Sequence, residues 1–231
     1  MGKILEPPHL VADLKTLCLT TVAAHWERQT EEAQRKRQPH AEYLAELMAM
    51  ELGKRRERRI ARRIQEARFP VLKTLDGFDF GARAQLDREA VLELARGEYI
   101  EQKSNVVFVG GVGTGKTHLA IALGLAACQQ ERRVRFVTAA ELTNTLVEAK
   151  RDGRLSRKLD SFLRFDLILL DELGYVPFDK EGANLLFGLI SRAYEQRSLV
   201  VTTNLPFARW TEVFLDATAA AAVIDRIVHH A

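Results

Sequence analysis

The sequence contains little cysteine. Only Cys18 and Cys128 occur among its 231 residues, and they lie far apart. They belong to no C-x-x-C pair, which argues against a disulfide framework and against a cysteine zinc site. This usage fits the reducing environment of the cytoplasm.

Segments that would direct the chain into or across a membrane are also missing from the sequence. Residues 1–10 include Glu6, Pro7 and Pro8 and contain no basic stretch followed by an apolar run, so they do not form a signal peptide. No apolar stretch is long enough to span a bilayer. The histidines are scattered, and only His229 and His230 are adjacent, so we assign no metal site to histidine.

The composition is that of a folded protein, with 47% hydrophobic and 28% charged residues. At this length we expect one sizeable core with an appendage. Leu10, Leu14 and Leu17 have helical spacing, and no convincing strand precedes residue 69. We therefore predict a small all-helical N-terminal domain over residues 1–68 and a second domain over residues 69–231.

Basic residues are concentrated near the end of the N-terminal domain, although the net charge of the whole chain is only +3. Two acidic residues stand there against eight basic ones, which are Lys54, Arg55, Arg56, Arg58, Arg59, Arg62, Arg63 and Arg68. On a helix, Arg55, Arg59 and Arg62 share one face. That face is either a solvated surface that favours solubility or a site for DNA phosphates. Clustered arginine with few acids is typical of phosphate binding, so we favour DNA.

After residue 69, short apolar runs alternate with helical segments. The predicted strands are residues 106–109, 134–137, 167–170 and 199–202, and the predicted helices begin at Thr117, near Glu141 and at Gly182. Short strands between helices of this kind are typical of a parallel sheet covered on both faces. The sequence therefore predicts an α/β fold for the second domain.

A glycine-rich segment follows the first predicted strand and precedes a helix. It reads GGVGTGKT over residues 110–117 and satisfies the P-loop pattern G-x-x-x-x-G-K-T. Its glycines let backbone N–H groups turn onto phosphate oxygens, Lys116 reaches the β- and γ-phosphates, and the Thr117 hydroxyl coordinates magnesium. We therefore predict binding of ATP with Mg²⁺. The predicted nucleotide-binding residues are Gly110, Gly111, Val112, Gly113, Thr114, Gly115, Lys116, Thr117 and His118.

Polar side chains end two later strands. Asp171 and Glu172 follow an apolar run, at the edge where ligands bind in open α/β sheets. We expect Asp171 to hold Mg²⁺ through its water shell and Glu172 to polarise the water that attacks the γ-phosphate. Asn204 ends the next strand. It either begins a turn ahead of Pro206 or orients the attacking water and senses the γ-phosphate, and the P-loop favours the second role.

Four segments together resemble the IstB family of AAA+ ATPases, which help insertion-sequence transposases and are close relatives of the helicase loader DnaC. They are GVGTGKTHLA at 111–120, LILLDELGY at 167–175, TTNLPF at 202–207 and DRIVHH at 225–230. The likeness extends over nearly the whole chain. It matches Lys116 and Thr117 to the Walker A pair and Asp171 and Glu172 to the Walker B pair.

The resemblance also implies roles for residues outside these pairs. Asn204 matches sensor I, and Arg226 matches an arginine finger that completes the site of a neighbouring subunit. The family therefore implies an ATP-dependent homo-oligomer with ATP between subunits. It also implies an extra helix before the Walker B strand, whose basic residues line a DNA channel: Lys150, Arg151, Arg154, Arg157 and Lys158.

The function implied by the resemblance is that of an ATPase that assembles on duplex DNA and presents it to a cognate transposase, in the bacterial cytoplasm at the nucleoid. Two alternatives stay open. A DnaC-like helicase loader would use its N-terminal domain to bind a helicase, and the basic run argues against it. An architectural DNA-coating protein would need only nucleotide binding, and Glu172 argues for turnover. Relatives continue past the position of Ala231 with a final strand and a sensor II arginine, so the family pattern implies a truncated C-terminal end.

Overall fold

The computed structural model describes residues 9–82, 86–175, 178–214 and 217–228. The chain divides into two compact units, Met1–Ala61 and Arg62–Ala231. The division falls inside a long helix, whereas the sequence placed the boundary after that helix, near residue 69.

From residue 9 onwards the first unit has the helices α1 Leu10–Thr16, α2 Thr20–Lys36 and α3 His40–Ala67, the last of which continues into the second unit. Helix α2 ends at Lys36, and helix α3 begins directly after Pro39, whose missing N–H is no cost at a helix start because the first N–H groups of a helix have no helical partner. Val22, Trp26 and Leu47 form the buried centre of the unit. All regular structure between residues 9 and 61 is helical, as the spacing of apolar residues predicted.

The second unit is built around four strands: β1 Val106–Val109, β2 Val134–Thr138, β3 Leu167–Leu173 and β4 Ser198–Thr203. They form one sheet in the order β1-β4-β3-β2, and every neighbouring pair is parallel. The helices of this unit are α4 Arg88–Leu94, α5 Glu98–Glu101, α6 Lys116–Gln129, α7 Ala139–Arg151, α8 Leu155–Phe162, α9 Lys180–Ala193, α10 Thr211–Phe214 and α11 Ala217–Val228. The α/β prediction is therefore confirmed.

The sheet is buried on both faces. Side chains alternate along a strand, so Leu167 and Leu169 of β3 enter one core with α6, while Ile168 and Leu170 enter the other with α7, α9 and α11. Because both faces are filled largely with apolar side chains, the polar side chains of the site are found at the carboxyl ends of the strands and in the loops that follow them. No helix among the described residues is long and apolar enough to cross a bilayer.

Capping residues set two helix starts earlier than the sequence predicted. Helix α7 begins at Ala139 because Thr138 and Glu141 form a capping box, in which each side chain binds the other residue's backbone N–H. Helix α9 begins at Lys180 because the Asp179 carboxylate accepts a hydrogen bond from the backbone N–H of Gly182.

Candidate functional site

The P-loop connects β1 to α6. Gly113 has φ 74° and Gly115 has φ 89°, backbone conformations that favour glycine. A Cβ on Gly115 would also lie 2.5 Å from Cε2 of Phe78. The loop can therefore wrap tightly before α6, whose first N–H groups have no helical partner and are suited to an anion.

Lys116 folds back over this loop. Its Nζ donates hydrogen bonds to the carbonyl oxygens of Gly110 and Gly111, both at 2.7 Å. Burial lowers the pKa of Lys116, and the nearby charge of Asp171 opposes that shift. Neutral carbonyls do not compensate an ammonium, so the loop keeps a positive charge that fits phosphate.

Thr117, in the first turn of α6, contacts Asp171 near the carboxyl end of β3. The Thr117 hydroxyl donates to Oδ1 of Asp171 at 2.9 Å and lies 3.1 Å from Oδ2, and the carboxylate is buried. A hydroxyl and a carboxylate are hard oxygen donors, and Mg²⁺ completes its shell with waters and substrate phosphates. The residues present therefore fit the ion that the sequence predicted at this position.

The two acidic residues of β3, Asp171 and Glu172, lie within a β-bulge between Leu170 and Leu173. Leu170 pairs with Val201 and Leu173 with Thr203, so three steps along β3 match two along β4. Glu172 takes φ 60°, the left-handed region that few non-glycine residues adopt. A bulge redirects a side chain and often lies at a functional site. Here it leaves Asp171 buried against Thr117 while Glu172 is exposed at the strand end.

Sequence reasoning missed Thr202, which holds this bulge. Its side chain is 1% exposed. Its hydroxyl donates to Oδ1 of Asp171 at 2.5 Å and accepts the backbone N–H of Glu172 at 3.0 Å. One hydroxyl thus fixes both acidic residues. The available signal was a threonine directly after the apolar run at residues 199–201 of a buried strand, because a buried hydroxyl requires a hydrogen-bond partner.

The predicted sensor Asn204 follows β4 at the same edge of the sheet. The backbone N–H of Gly110 donates to the carbonyl of Thr203 at 3.2 Å, which ties the first P-loop residue to the residue before Asn204. The Asn204 side chain is partly buried. Its role toward the γ-phosphate stays a prediction.

His118, the last predicted nucleotide-binding residue, has a partner within the protein. Its Nε2 lies 2.8 Å from the carbonyl oxygen of Thr74, and its ring packs edge-to-face on Phe78, with 5.2 Å between centroids. These contacts hold the segment before the core against the start of α6. Phosphate contact by His118 stays a prediction.

Arg226, the predicted arginine finger, packs within its own unit. Its guanidinium lies 4.8 Å from the ring centroid of Phe187, and its Nη1 donates to the carbonyl of Ala222 at 3.1 Å. Asn105 anchors the end of α11 by donating to the carbonyl of Ile227 at 3.0 Å. A role in a neighbouring site requires the arginine to leave the Phe187 ring.

The basic residues of α3 divide into structural and exposed groups. Glu51 is buried, accepts hydrogen bonds from Arg55 Nε at 2.9 Å and from the backbone N–H of Thr21 at 2.7 Å, and is paired in this way within the first unit. Burial raises the pKa of Glu51, but the hydrogen bonds from Arg55, Val22 and Thr21 outweigh it and hold the pKa below the usual value. Arg55 also donates to the carbonyl of Cys18 at 2.6 Å. Arg55 therefore has a structural role that the DNA hypothesis did not anticipate.

Other predicted DNA-binding residues also have partners. Arg58 donates to the Thr20 hydroxyl at 3.1 Å, and Lys54 pairs with Glu57 at 2.7 Å. Arg59 also interacts with another group of the protein, so it is not unpartnered. The predicted stripe is thus only partly available to an external phosphate.

A separate helix, α8, lies between α7 and β3, but of the five basic residues assigned to the extra helix only Arg157 and Lys158 lie in it. Lys150 and Arg151 belong to the last turn of α7, and Arg154 directly precedes α8. Lys150 pairs with Glu181 at 2.8 Å, Arg154 contacts Asp152, and Lys158 lies over the ring of Phe162. The remaining two residues predicted in this stretch, Arg151 and Arg157, are exposed.

Residues 12–231 match the family model described as IstB-like ATP binding protein. The chain belongs to this family. The IstB-like chain is 39% identical over 217 residues to the ATP-binding protein of insertion sequence IS21 from Pseudomonas aeruginosa, which covers 94% of this chain and 82% of that one. It is 35% identical over 214 residues to the ATP-binding protein of IS5376 from Geobacillus stearothermophilus, covering 93% and 85%. The family predicted from the four sequence segments is therefore confirmed.

Solved structures agree on the AAA+ fold of the IstB-like chain. AMPPCP-bound DnaA from Aquifex aeolicus aligns with a TM-score of 0.56 at 24% identity, covering 65% of this chain and 46% of that one. The DnaC helicase loader aligns with a TM-score of 0.53 at 19% identity, covering 68% and 89%. At these identities the likeness concerns the fold alone.

Proposed function

We propose that this IstB-like protein hydrolyses ATP, assembles on duplex DNA in response to the bound nucleotide, and assists a cognate transposase. The observation that carries the proposal is the placement of Thr117, Asp171 and Glu172 around a complete P-loop. Relatives named as insertion-sequence ATP-binding proteins support the link to transposition.

The residues of the site divide the work of phosphoryl transfer to water. Lys116 and the first N–H groups of α6 bind the phosphates, and Thr117 and Asp171 are the residues that would hold Mg²⁺, which would supply positive charge beside the phosphates. Glu172, at the exposed strand end, orients and polarises the attacking water. Asn204 holds that water from the neighbouring strand.

ATP acts in this proposal as a switch for assembly. Arg226 reaches the γ-phosphate of a neighbouring subunit, so subunits join while ATP is intact and separate after hydrolysis. Charge-assisted hydrogen bonds from arginine to phosphate give such a contact its strength.

The ATPase part is tested with two variants. Lys116→Ala should abolish nucleotide binding because phosphate neutralisation is lost, whereas Glu172→Gln should bind ATP without hydrolysing it, with turnover reduced at least about 100-fold. Nucleotide binding is measured with a fluorescent ATP analogue and turnover by phosphate release. Wild-type turnover in the Glu172 variant would remove its assigned role.

The DNA part is tested by electron microscopy of the wild-type protein mixed with duplex DNA and ATP. A second sample, in which the Glu172→Gln variant replaces the wild type, gives the comparison without hydrolysis. Filaments or rings around duplex that persist without hydrolysis support the proposal. Absence of any DNA complex, together with capture of a replicative helicase, would instead favour the helicase-loader alternative.

A further inference from the structure

A solvent-open groove on the second unit brings together basic side chains that lie far apart in the sequence. It encloses about 690 Å³, and seven Lys or Arg side chains line it against one carboxylate, that of Glu66. We call this surface the basic groove, and its basic residues are Arg62, Arg63, Arg68, Arg133, Arg135, Lys158 and Arg164.

The single carboxylate in the basic groove is already paired. Glu66 lies 3.0 Å from Nη1 of Arg63 and 3.9 Å from Nε of Arg62. Arg63 also donates to the backbone carbonyl of Glu131 at 3.3 Å and is largely buried, so it forms part of the wall. Glu66 therefore cannot neutralise the remaining cations.

Three arginines of the groove have no carboxylate within ion-pair distance among the residues the structure describes: Arg68, Arg133 and Arg164. The nearby carboxylate of Asp166 accepts a hydrogen bond from the backbone N–H of Arg133 at 2.8 Å instead. Burial, and after it the like charge of Arg68, lowers the pKa of Arg135. Like charges held together without counter-charges destabilise a fold, so this cluster requires an explanation.

We propose that the basic groove binds the phosphate backbone of a nucleic-acid strand. Arginine presents a planar set of donors that matches phosphate oxygens. A small anion is usually held in an enclosed cradle, whereas Arg68, Arg133 and Arg164 are exposed along an open groove. That arrangement suits a chain of regularly spaced negative charges. The inference rests on the proposed DNA binding and assigns it a surface on the ATPase unit.

The position of the groove relates it to the nucleotide site. Arg133 and Arg164 lie just before the amino-terminal ends of β2 and β3. Asp171 and Glu172 lie at the opposite, carboxyl end of β3. Arg68 and Arg135 line a second groove as well, of about 740 Å³, which extends to Asp171 and Glu172. The two grooves adjoin through these shared arginines, so a bound backbone and the hydrolysis site lie on one connected surface.

The test is the double variant Arg133→Gln/Arg164→Gln in the full chain, with binding to a labelled duplex and to one of its single strands measured across a salt series. We expect weaker binding and a slope of log affinity against log salt that is shallower by about 1.8 for duplex, since each lost phosphate contact releases about 0.9 fewer counterions. Arg133→Lys/Arg164→Lys keeps the charge and should restore the slope. DNA-free ATP turnover should stay at the wild-type value.

The matched control is Arg192→Gln/Arg209→Gln, which removes the same charge from exposed arginines outside the groove that pair with Asp160 and Glu212. Its salt slope should stay close to that of the wild type. An unchanged slope in the groove variant, or an equal change in the control, overturns the inference while the proposed function stands. So does aggregation of the groove variant with DNA binding intact, because the arginines would then serve only to protect the edge strand β2. A wild-type protein that binds neither nucleic acid overturns both.

Discussion

Replacing Thr202 by valine tests whether one buried hydroxyl organises the hydrolysis site. Valine is β-branched and has nearly the shape of threonine, so the main effect of the change is the loss of the hydroxyl. Two hydrogen bonds are lost, the one to Asp171 and the one from the N–H of Glu172. The bulge then holds Glu172 in its left-handed conformation without this support.

The expected magnitudes follow from these contacts. A hydrogen bond to a charged group contributes about 1.5–3 kcal/mol, so we expect a loss of about 2 kcal/mol in the free energy of unfolding. For a unit of this size that corresponds to a fall in Tm of about 4–8 °C. A displacement of Glu172 by about 1 Å would lower the turnover rate about 100-fold. ATP affinity should change little, because the contacts of Lys116 do not involve Thr202.

The assay compares Thr202→Val with Thr202→Ser, measuring phosphate release, ATP affinity and thermal melting. Serine keeps the hydroxyl and loses one methyl group, so we expect about 1 kcal/mol of destabilisation with turnover near that of the wild type. A serine variant as slow as the valine variant would show that packing, and not the hydroxyl, matters. Wild-type turnover in the valine variant would refute the positioning role altogether.

Two further predictions concern the neighbouring subunit and the first unit. Arg226→Ala should leave the ATP affinity of an isolated subunit nearly unchanged and reduce ATP-dependent assembly, as measured by sedimentation; normal assembly would make the contact with Phe187 the whole role of this arginine. The pKa of Glu51 is held below its usual value in the folded chain, so its contribution to stability is complete above about pH 4.5 and is lost as the pH falls through the folded pKa. Glu51→Gln should therefore destabilise the first unit in urea titrations at about pH 7 and reduce the further loss on acidification, and an unaltered pH profile would contradict this reasoning.

The nucleotide site could be predicted because its determinants are local in sequence. A P-loop requires only that glycines and Lys116 follow one another between a strand and a helix, and short-range spacing records this. The bulge at Glu172 depends on the register between β3 and β4, which the sequence does not encode locally. Thr202 belongs to the site only through that register, so the motif search passed over it.

The sequence was a poorer guide to the basic surfaces than to the P-loop. The run in α3 looked like one continuous stripe, yet Arg55 is held by Glu51, four residues earlier, a spacing that favours such pairs on a helix. The basic groove instead joins residues such as Arg68, Arg133 and Arg164, which only the fold brings together. Charge density along the sequence therefore overstated one surface and could not reveal the other.

The contacts of Arg226 explain why assembly in the proposed switch depends on ATP. The cation–π contact with Phe187 favours the retracted position by about 0.5–2 kcal/mol, depending on how far it is desolvated. A hydrogen bond to a charged phosphate contributes about 1.5–3 kcal/mol, so in the proposed switch the free energies of the two contacts would be similar, with the contact to a neighbour's γ-phosphate favoured at most by a small margin. In this proposal, the ring contact would have no competitor once the γ-phosphate is released, and the arginine would return to its own subunit. A much stronger contact with Phe187 would prevent the arginine from reaching the neighbour, so the proposed switch requires the two contacts to have similar free energies.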